Sequence, residues 1–232
     1  MKDFYKKEHS TCAVILAAGC GTRMSSPSPK HRLIIADDSV IRHTVRAFDA
    51  CTVIDDIVVV TRDEEISSIS AELVDFKKIC AVIPGGESRA ESARLGFFAI
   101  PDRTTVVAIH DAARCLVTPE MIEAVVLAAR GHGAASAGTR PHDTVKLTDG
   151  ERILSTLNRD ELFMAHTPQA FDRALYSGAL EGAELDVTDD NSLLERIGVS
   201  PVMVDTGATN IKITTPDDLL FAEFVLSKRS KL

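Results

Sequence analysis

The sequence lacks any apolar stretch long enough to cross a membrane as a helix. Its longest uninterrupted apolar run, from Cys12 to Ala18, is far short of the roughly 20 residues that such a helix needs. The polar opening segment, MKDFYKKEHS, is not followed by a small-residue cleavage site of the signal-peptide type. These absences predict a cytoplasmic protein that does not enter membranes.

The sequence also lacks an excess of positive charge. Its 26 Lys and Arg residues are outnumbered by 34 Asp and Glu residues, which gives a formal net charge of −8. Non-specific binding of nucleic acid depends on clustered Lys and Arg that release counterions. The charge balance therefore argues against a nucleic-acid partner.

The five cysteines lack the spacing of a disulfide scaffold or a zinc site. They form no C-x-x-C pair, and their odd number leaves one without a partner. Three of them, Cys12, Cys51 and Cys80, begin or border apolar runs. We expect the cysteines to be buried, reduced thiols rather than disulfides or zinc ligands.

Short apolar runs rich in β-branched residues recur through the first half of the chain, as buried parallel strands do. They alternate with segments of helical spacing. The alternation predicts an α/β fold, with a mostly parallel twisted sheet and helices on both faces. The predicted strands are Ala13–Leu16, Ile57–Val60, Ala81–Ile83 and Thr105–Ile109, and the predicted helices are Val40–Ala50, Glu64–Phe76, Ser88–Phe98 and Met121–Ala129.

The alternation breaks after about residue 139. Residues 140–154 have the pattern of two short polar strands joined by a turn at residues 148–150. Because a polar hairpin cannot bury itself in its own core, residues 140–162 are predicted to project as a hairpin arm that is solvated or contacts another subunit.

Beyond the hairpin arm, helical and strand patterns return without an internal repeat or a flexible linker. Residues 1–232 are therefore predicted to form one domain with the hairpin arm as an excursion. The later elements are predicted as helices at Asp172–Glu184 and Asp189–Ile197, strands at Val202–Val204 and Ile211–Ile213, and a closing helix that starts at Thr215.

The first predicted strand runs directly into a glycine-bearing loop, at the place where phosphates usually bind in α/β proteins. Glycines allow backbone N–H groups to approach an anion closely, although the loop is neither a dinucleotide fingerprint nor a P-loop and is also consistent with a tight structural turn. Two cations close by, Arg23 and Lys30, favour a polyphosphate ligand over the alternative of solvated surface charges.

A second glycine turn, Pro84–Ser92, leads from a strand into a helix. Its N–H groups and the hydroxyls of Ser88 and Ser92 can read the edge of a base, and Arg89 supplies charge. Ser88 with Glu91 three residues later is also an ordinary capping box.

A third group of residues, His110–Arg114, follows the fourth predicted strand. Asp111 at that strand end can hold hydrated Mg²⁺ or a ribose hydroxyl, or it can cap a local turn. His110 is expected to be a packing residue rather than a general base. The convergence of the three loops predicts a small phosphorylated ligand bound with Mg²⁺.

A set of motifs follows one order and spacing across residues 12–226. With these motifs the chain resembles the 2-C-methyl-D-erythritol 4-phosphate cytidylyltransferases of the non-mevalonate isoprenoid pathway, which have a Rossmann-like nucleotidyltransferase fold. The motifs are AAGCGTRM, PK at 29–30, GGESRAES, HDAAR, DTVK at 143–146, TPQ at 167–169, TDD at 188–190 and NIKITTPDD at 210–218.

The resemblance implies that CTP and a sugar-alcohol phosphate are the substrates and that Mg²⁺ binds at Asp111. It implies a homodimer joined through the hairpin arm, with Thr144 and Arg159 holding the acceptor in the partner's active site. The implied catalytic residues are Arg23, Lys30, Arg159 and Lys212, with Lys212 on the penultimate strand. The implied substrate-binding residues are Ala17, Ala18, Gly19, Gly21, Thr22, Gly85, Gly86, Arg89, Ser92, Asp111, Ala112, Arg114 and Thr144.

Two alternatives stay open at the level of sequence. One is a cytidylyltransferase for another alditol phosphate, such as ribitol 5-phosphate, and the other is a non-catalytic nucleotide sensor. The joint presence of Arg23, Lys30, Asp111 and Lys212 favours an enzyme, because a sensor does not need transition-state cations. One departure from the family pattern is His31, which follows Lys30 where glutamine is common.

Overall fold

The computed structural model describes residues 9–19 and 29–229. These residues form eleven strands: β1 (Thr11–Leu16), β2 (Ile34–Ile35), β3 (Asp38–Ser39), β4 (Asp56–Thr61), β5 (Ile79–Pro84), β6 (Val106–Asp111), β7 (Ala134–Thr139), β8 (Lys146–Thr148), β9 (Ile153–Thr156), β10 (Met164–Asp172) and β11 (Val202–Asp205). The helices are α1 (Val40–Ala50), α2 (Ile66–Glu72), α3 (Arg89–Phe98), α4 (Pro119–His132), α5 (Arg173–Leu180), α6 (Asn191–Arg196) and α7 (Pro216–Arg229). None of these helices is long and apolar enough to span a bilayer.

A seven-stranded sheet in the order β11-β7-β10-β6-β1-β4-β5 forms the centre of the structure. All neighbouring strands in it are parallel except β10, which runs antiparallel to both β6 and β7. The predicted α/β architecture with a mostly parallel sheet is confirmed.

The central strands are buried on both faces, which explains their continuous apolar sequences. Along β1, Ala13 and Ile15 face one hydrophobic cluster that includes side chains of α1, α2 and α4. Val14 and Leu16 face a second cluster that includes side chains of α3, α5 and α6. Helices therefore cover both faces of the sheet, as predicted.

The hairpin arm contains an isolated antiparallel pair, β8 and β9, that does not join the central sheet. All residues of both strands are exposed. Gly150, at φ +105° in the turn between them, adopts a backbone conformation that glycine tolerates best. The predicted hairpin is therefore present, and it carries four exposed apolar side chains, Leu147, Ile153, Leu154 and Leu157.

Several elements differ from the sequence-based prediction. β7 and β10 were not predicted, because β7 reads AASAGT, with little β propensity, and β10 contains Pro168 beside a register shift between Ala165 and Gln169. The prediction of a strand at Ile211–Ile213 is wrong: Ile213 donates one hydrogen bond to Ala113 O at 2.8 Å but joins no ladder. The helices at residues 64–76 and 172–184 are shorter than predicted.

The prediction for the cysteines holds for three of the four that the structure describes. Cys12, Cys51 and Cys115 are buried, free thiols, and Cys20 falls outside the described residues. Cys80 is exposed, because it lies on β5, an edge strand of the sheet. An edge strand with partly solvated faces accounts for this wrong prediction.

Candidate active site

A cavity of about 960 Å³ lies over the carboxyl edge of the sheet, and we call it the strand-end cavity. The parallel strands β1, β4, β5 and β6 all end there, at the edge where open α/β sheets bind their ligands. The structure brings together in its lining the predicted residues Ala17, Ala18, Gly19, Lys30, Gly85, Gly86, Arg89, Ser92, Asp111, Ala112 and Lys212.

The loop between β5 and α3 packs closely against the loop after β1. A Cβ atom added to Gly85 would lie 2.5 Å from Ala18 Cβ, so only glycine fits this contact without a shift. The Gly86 N–H donates to Ser92 Oγ at 3.1 Å, and the Ser92 hydroxyl donates to Ser88 O at 2.9 Å. The Ser92 hydroxyl therefore bridges two backbone groups of this loop and holds the Gly86 backbone at the cavity.

Ser88 caps α3, as the capping-box alternative predicts. Its Oγ accepts a hydrogen bond from the Glu91 N–H at 3.0 Å. The Glu91 carboxylate accepts from the Glu87 N–H at 2.9 Å, one residue before the position of an ideal capping box. Both serines of the motif are thus engaged in local structure.

Arg89 lies between two carboxylates. Its Nε donates to Asp111 Oδ1 at 3.0 Å, and its Nη1 donates to Asp190 Oδ2 at 2.7 Å. Asp190 is fully buried and also accepts from the Tyr176 hydroxyl at 2.6 Å. Our sequence reasoning missed Asp190 and Tyr176 as supports of Arg89; the TDD motif contained the signal for Asp190.

Asp111 is surrounded by cations. Lys212 Nζ donates to its Oδ2 at 2.7 Å, and Arg114 Nε lies 4.0 Å from the same oxygen. Burial by itself raises the pKa of this carboxyl, but the charges of Arg89 and Lys212 outweigh burial and hold the pKa well below its ordinary range. Asp111 is therefore an anion at neutral pH.

The donor set at Asp111 fits Mg²⁺ only as a single protein ligand. Within residues 9–19 and 29–229, no three His, Cys, Asp or Glu side chains cluster as a metal site. Mg²⁺ is commonly held by one or two carboxylates, with substrate phosphates and water completing its shell. An ionised carboxylate at the cavity wall meets that requirement.

Lys30 and Lys212 approach the cavity from two different loops. Lys30 Nζ donates to Thr214 O at 3.4 Å, which places its ammonium beside the loop that carries Lys212. That loop is fixed by Asn210, whose side-chain amide donates to Thr167 O at 2.8 Å. Lys212 therefore lies on an anchored loop, and its placement on a penultimate strand was wrong.

His110 is a packing residue. It is fully buried, with Nδ1 3.0 Å from Thr167 Oγ1 and Nε2 3.3 Å from Arg114 O. Because a carbonyl can only accept, Nε2 carries the proton and Nδ1 accepts from the Thr167 hydroxyl. Burial lowers the pKa of His110 to about 3, so the ring is neutral, and it does not line the strand-end cavity.

The lowered pKa of His110 predicts a loss of stability in mild acid. In the unfolded chain His110 takes up a proton with the ordinary pKa of 6.5, whereas in the folded chain His110 stays neutral until the pH approaches about 3. Stability is therefore complete above the ordinary pKa and falls as the pH drops, by about 2 kcal/mol at pH 5 from His110 alone. Urea unfolding at pH 7 and pH 5 measures this loss, and His110→Gln should lose about 2 kcal/mol less than the wild type. Equal losses in the two proteins would contradict the assignment.

Three other predicted residues, Arg114, Thr144 and Arg159, are not among those that line the strand-end cavity. Thr144 and Arg159 are exposed on the hairpin arm, where Arg159 Nη1 donates to His142 O at 2.7 Å. Arg114 donates from Nη1 to Asn210 O at 2.9 Å and supports the Lys212 loop. Gly21, Thr22 and Arg23 fall outside the described residues.

Comparison with known proteins identifies the family. The family model for 2-C-methyl-D-erythritol 4-phosphate cytidylyltransferase matches residues 11–228. A protein of that name from Rubrobacter xylanophilus is 40% identical over 225 residues, covering 94% of this chain and 96% of that protein. Another from Clostridium botulinum strain Langeland is 37% identical over 222 residues, covering 93% and 96%.

A solved structure agrees with the sequence relatives. The crystal structure of 4-diphosphocytidyl-2C-methyl-D-erythritol synthase from Anaerococcus prevotii superposes with a TM-score of 0.83 at 30% identity, covering 94% of this chain and 99% of that one. From the match over nearly its whole length, the chain belongs to the 2-C-methyl-D-erythritol 4-phosphate cytidylyltransferase family.

Proposed function

We propose that this protein transfers the cytidylyl group of CTP to 2-C-methyl-D-erythritol 4-phosphate in the cytoplasm, giving 4-diphosphocytidyl-2-C-methyl-D-erythritol and pyrophosphate for isoprenoid precursor synthesis. The observation that carries the proposal is the meeting of Lys30, Asp111 and Lys212 at one cavity, in a chain of this family. Two ammonium groups and one carboxylate suit a triphosphate and its metal.

CTP occupies the strand-end cavity in this proposal. The backbone after β1, at Ala17, Ala18 and Gly19, would contact the phosphates, and Gly85 and Gly86 would lie beside cytosine. Gly21 and Thr22, which fall outside the described residues, are also proposed to bind the phosphates. Arg89, Ser92, Asp111 and Ala112 complete the nucleotide site. The close packing of the two glycine-bearing loops supports this, because it leaves their backbone at the cavity wall.

Mg²⁺ is the proposed metal, and Asp111 is the residue that would hold it. When bound, the ion neutralises phosphate charge that would otherwise repel the incoming nucleophile. Lys212 Nζ donates a hydrogen bond to Asp111 Oδ2 at 2.7 Å. Because the lysine side chain is flexible, this ammonium can turn from the carboxylate to a phosphate oxygen.

The proposed reaction needs no general base. The acceptor's phosphate oxygen is already ionised at neutral pH, so it attacks the α-phosphorus of CTP directly and pyrophosphate leaves in line. Lys30, Lys212 and Arg23 stabilise the charge that develops in the transition state. The buried, neutral His110 is consistent with this division of roles.

The hairpin arm is proposed to complete the active site of a second subunit in a homodimer. Its four exposed apolar side chains, defined above, would be covered by the partner. Thr144 and Arg159 lie on this arm, away from the strand-end cavity of their own chain. In the partner's cavity these two residues would hold the acceptor, facing the Arg114 and Lys212 that belong to that cavity.

Arg159→Ala is expected to raise KM for methylerythritol phosphate by about tenfold or more, because a charge-assisted contact to the acceptor phosphate is lost. The affinity for CTP should not change. Steady-state kinetics with each substrate varied, and calorimetry with CTP, measure the two effects. Arg152→Ala, in the turn of the same arm, is the control; an equal rise in its KM would contradict a specific role of Arg159.

The function itself is tested by pyrophosphate release with CTP and Mg²⁺, comparing 2-C-methyl-D-erythritol 4-phosphate with ribitol 5-phosphate. Fast release with the first acceptor alone is the expected result. Release with ribitol 5-phosphate alone would overturn the choice of acceptor. Binding of CTP without release with either acceptor would favour the sensor alternative.

A further inference from the structure

A buried carboxylate outside the residues discussed so far lies behind the turn that carries Lys30. Glu65 is 7% exposed and ends a short 3₁₀ turn, Asp63–Glu65, directly after β4. Arg62 Nε donates to its Oε2 at 3.0 Å, and Thr61 Oγ1 lies 3.5 Å from the same oxygen. Glu65 is thus fixed to the end of a central strand of the sheet.

The other partners of Glu65 are the two residues that follow Lys30. His31, 3% exposed, places Nε2 3.3 Å from Glu65 Oε2, and Arg32 Nε donates to Glu65 Oε1 at 3.4 Å. Lys30, His31 and Arg32 form a single 3₁₀ turn with no capping side chain. Two of the three residues in that turn therefore contact one carboxylate, and Arg32 Nη1 also pairs with Glu72 Oε2 at 2.8 Å.

The charges favour this arrangement. Burial by itself raises the pKa of Glu65, but the hydrogen bond from Arg62 and the neighbouring charges keep it below its ordinary value. Burial and the charge of Arg32 lower the pKa of His31, so the histidine is neutral at neutral pH. The ionised Glu65 carboxylate thus faces the guanidinium groups of Arg62 and Arg32, and these charges stabilise its contact with the Lys30 turn.

We propose that Glu65 is a positioning residue that fixes the Lys30 ammonium in the strand-end cavity by holding His31 and Arg32. The proposal rests on the proposed function, in which Lys30 acts on the triphosphate of CTP. Lys30 Nζ also donates to Thr214 O, so Glu65 acts from the other end of the side chain: it contacts the two residues that follow Lys30 in the same turn. Glu65 joins that turn to β4, which lies between the strands that carry both glycine-bearing loops.

The test is a double-mutant cycle between Glu65→Gln and Lys30→Ala. With Lys30 present, Glu65→Gln is expected to lower kcat by about tenfold, because a transition-state cation is misplaced, while KM for the acceptor changes little. In the Lys30→Ala background the same change should cost no more than about twofold. Equal losses in both backgrounds would mean a general structural effect and would overturn the proposal, as would an unchanged kcat.

His31→Gln provides a second variant that leaves no buried charge unpaired. It is expected to lower kcat by about threefold with Lys30 and to have no effect without it. Should Glu65→Gln fail to fold, this variant decides the proposal by the same criterion. Asp186→Asn is the control, since it removes an Arg–carboxylate pair at 2.9 Å with Arg196 that involves neither the Lys30 turn nor the partners of Glu65.

The dissociation constant for CTP, measured by calorimetry over the same cycle, separates this proposal from the proposed function. If the wild type binds CTP but does not release pyrophosphate, the proposed reaction fails while the cycle in CTP affinity is still readable. In that case, where Lys30 can act only on bound CTP, coupling of Glu65 to Lys30 in that affinity would support positioning, and strict additivity would overturn it.

Discussion

Lys30→Ala is expected to lower kcat by about a hundredfold or more, equivalent to about 3 kcal/mol of transition-state stabilisation. Negative charge on the phosphate oxygens is redistributed while the α-phosphorus is transferred from the pyrophosphate oxygen to the acceptor oxygen. The Lys30 ammonium is one of the cations proposed to stabilise that charge. Because the ammonium interacts more strongly with the transition state than with bound CTP, kcat should fall much more than the affinity for CTP.

Single-turnover and steady-state rates of pyrophosphate release measure the effect of Lys30→Ala. Lys228→Ala is the control, because Lys228 lies over the Phe224 ring on α7 and does not line the cavity. A near-normal kcat in Lys30→Ala would refute the transition-state role. A loss seen only in KM for CTP would assign Lys30 to ground-state binding instead.

Asp111→Asn is expected to lower the free energy of unfolding by about 3 kcal/mol, because it removes a buried anion from a cluster of partly buried cations. Arg89, Lys212 and Arg114 would then face a neutral amide. The variant should also lose Mg²⁺-dependent turnover, since the proposed metal ligand loses its charge. Both effects follow from the same substitution and are measured separately.

Urea denaturation gives the stability of Asp111→Asn, and a Mg²⁺ titration of the rate gives its metal dependence. Asp186→Asn is the control: Asp186 pairs with Arg196 at 2.9 Å on the surface, where such pairs contribute about 1 kcal/mol or less. An Asp111→Asn protein as stable as the wild type would contradict this expectation, because it would mean that Arg89, Arg114 and Lys212 move apart into solvent without cost. An unchanged Mg²⁺ dependence would remove Asp111 from the proposed metal site.

The parts of the fold predicted from sequence are those with a strong local pattern. β1, β4 and β6 have continuous apolar runs, and α1 begins and ends at the predicted residues. β7 has no such pattern, since small residues suffice for a strand that neighbours cover on both sides. Local pattern therefore predicts the elements that bury their own side chains and misses those defined by their neighbours.

The same distinction applies to the site. Loops at the ends of parallel strands can be expected to meet, so Gly85, Asp111 and the loop after β1 were predictable as a group. The contact between Arg89 and Asp190 joins positions 101 residues apart, and that between His31 and Glu65 joins two separate 3₁₀ turns. No periodicity in sequence specifies such pairs of polar side chains, which is why the supporting residues became visible only in three dimensions.

The position of β10 between β6 and β7 also has a consequence for the order of folding during synthesis. β6 and β7 have been made by residue 139, but the strand that joins them does not begin until Met164. A nascent chain between these two points exposes unpaired backbone on both strands, a situation that favours aggregation and slows folding. The strand-end cavity is completed later still, because Lys212 comes last in the sequence among the lining residues named above.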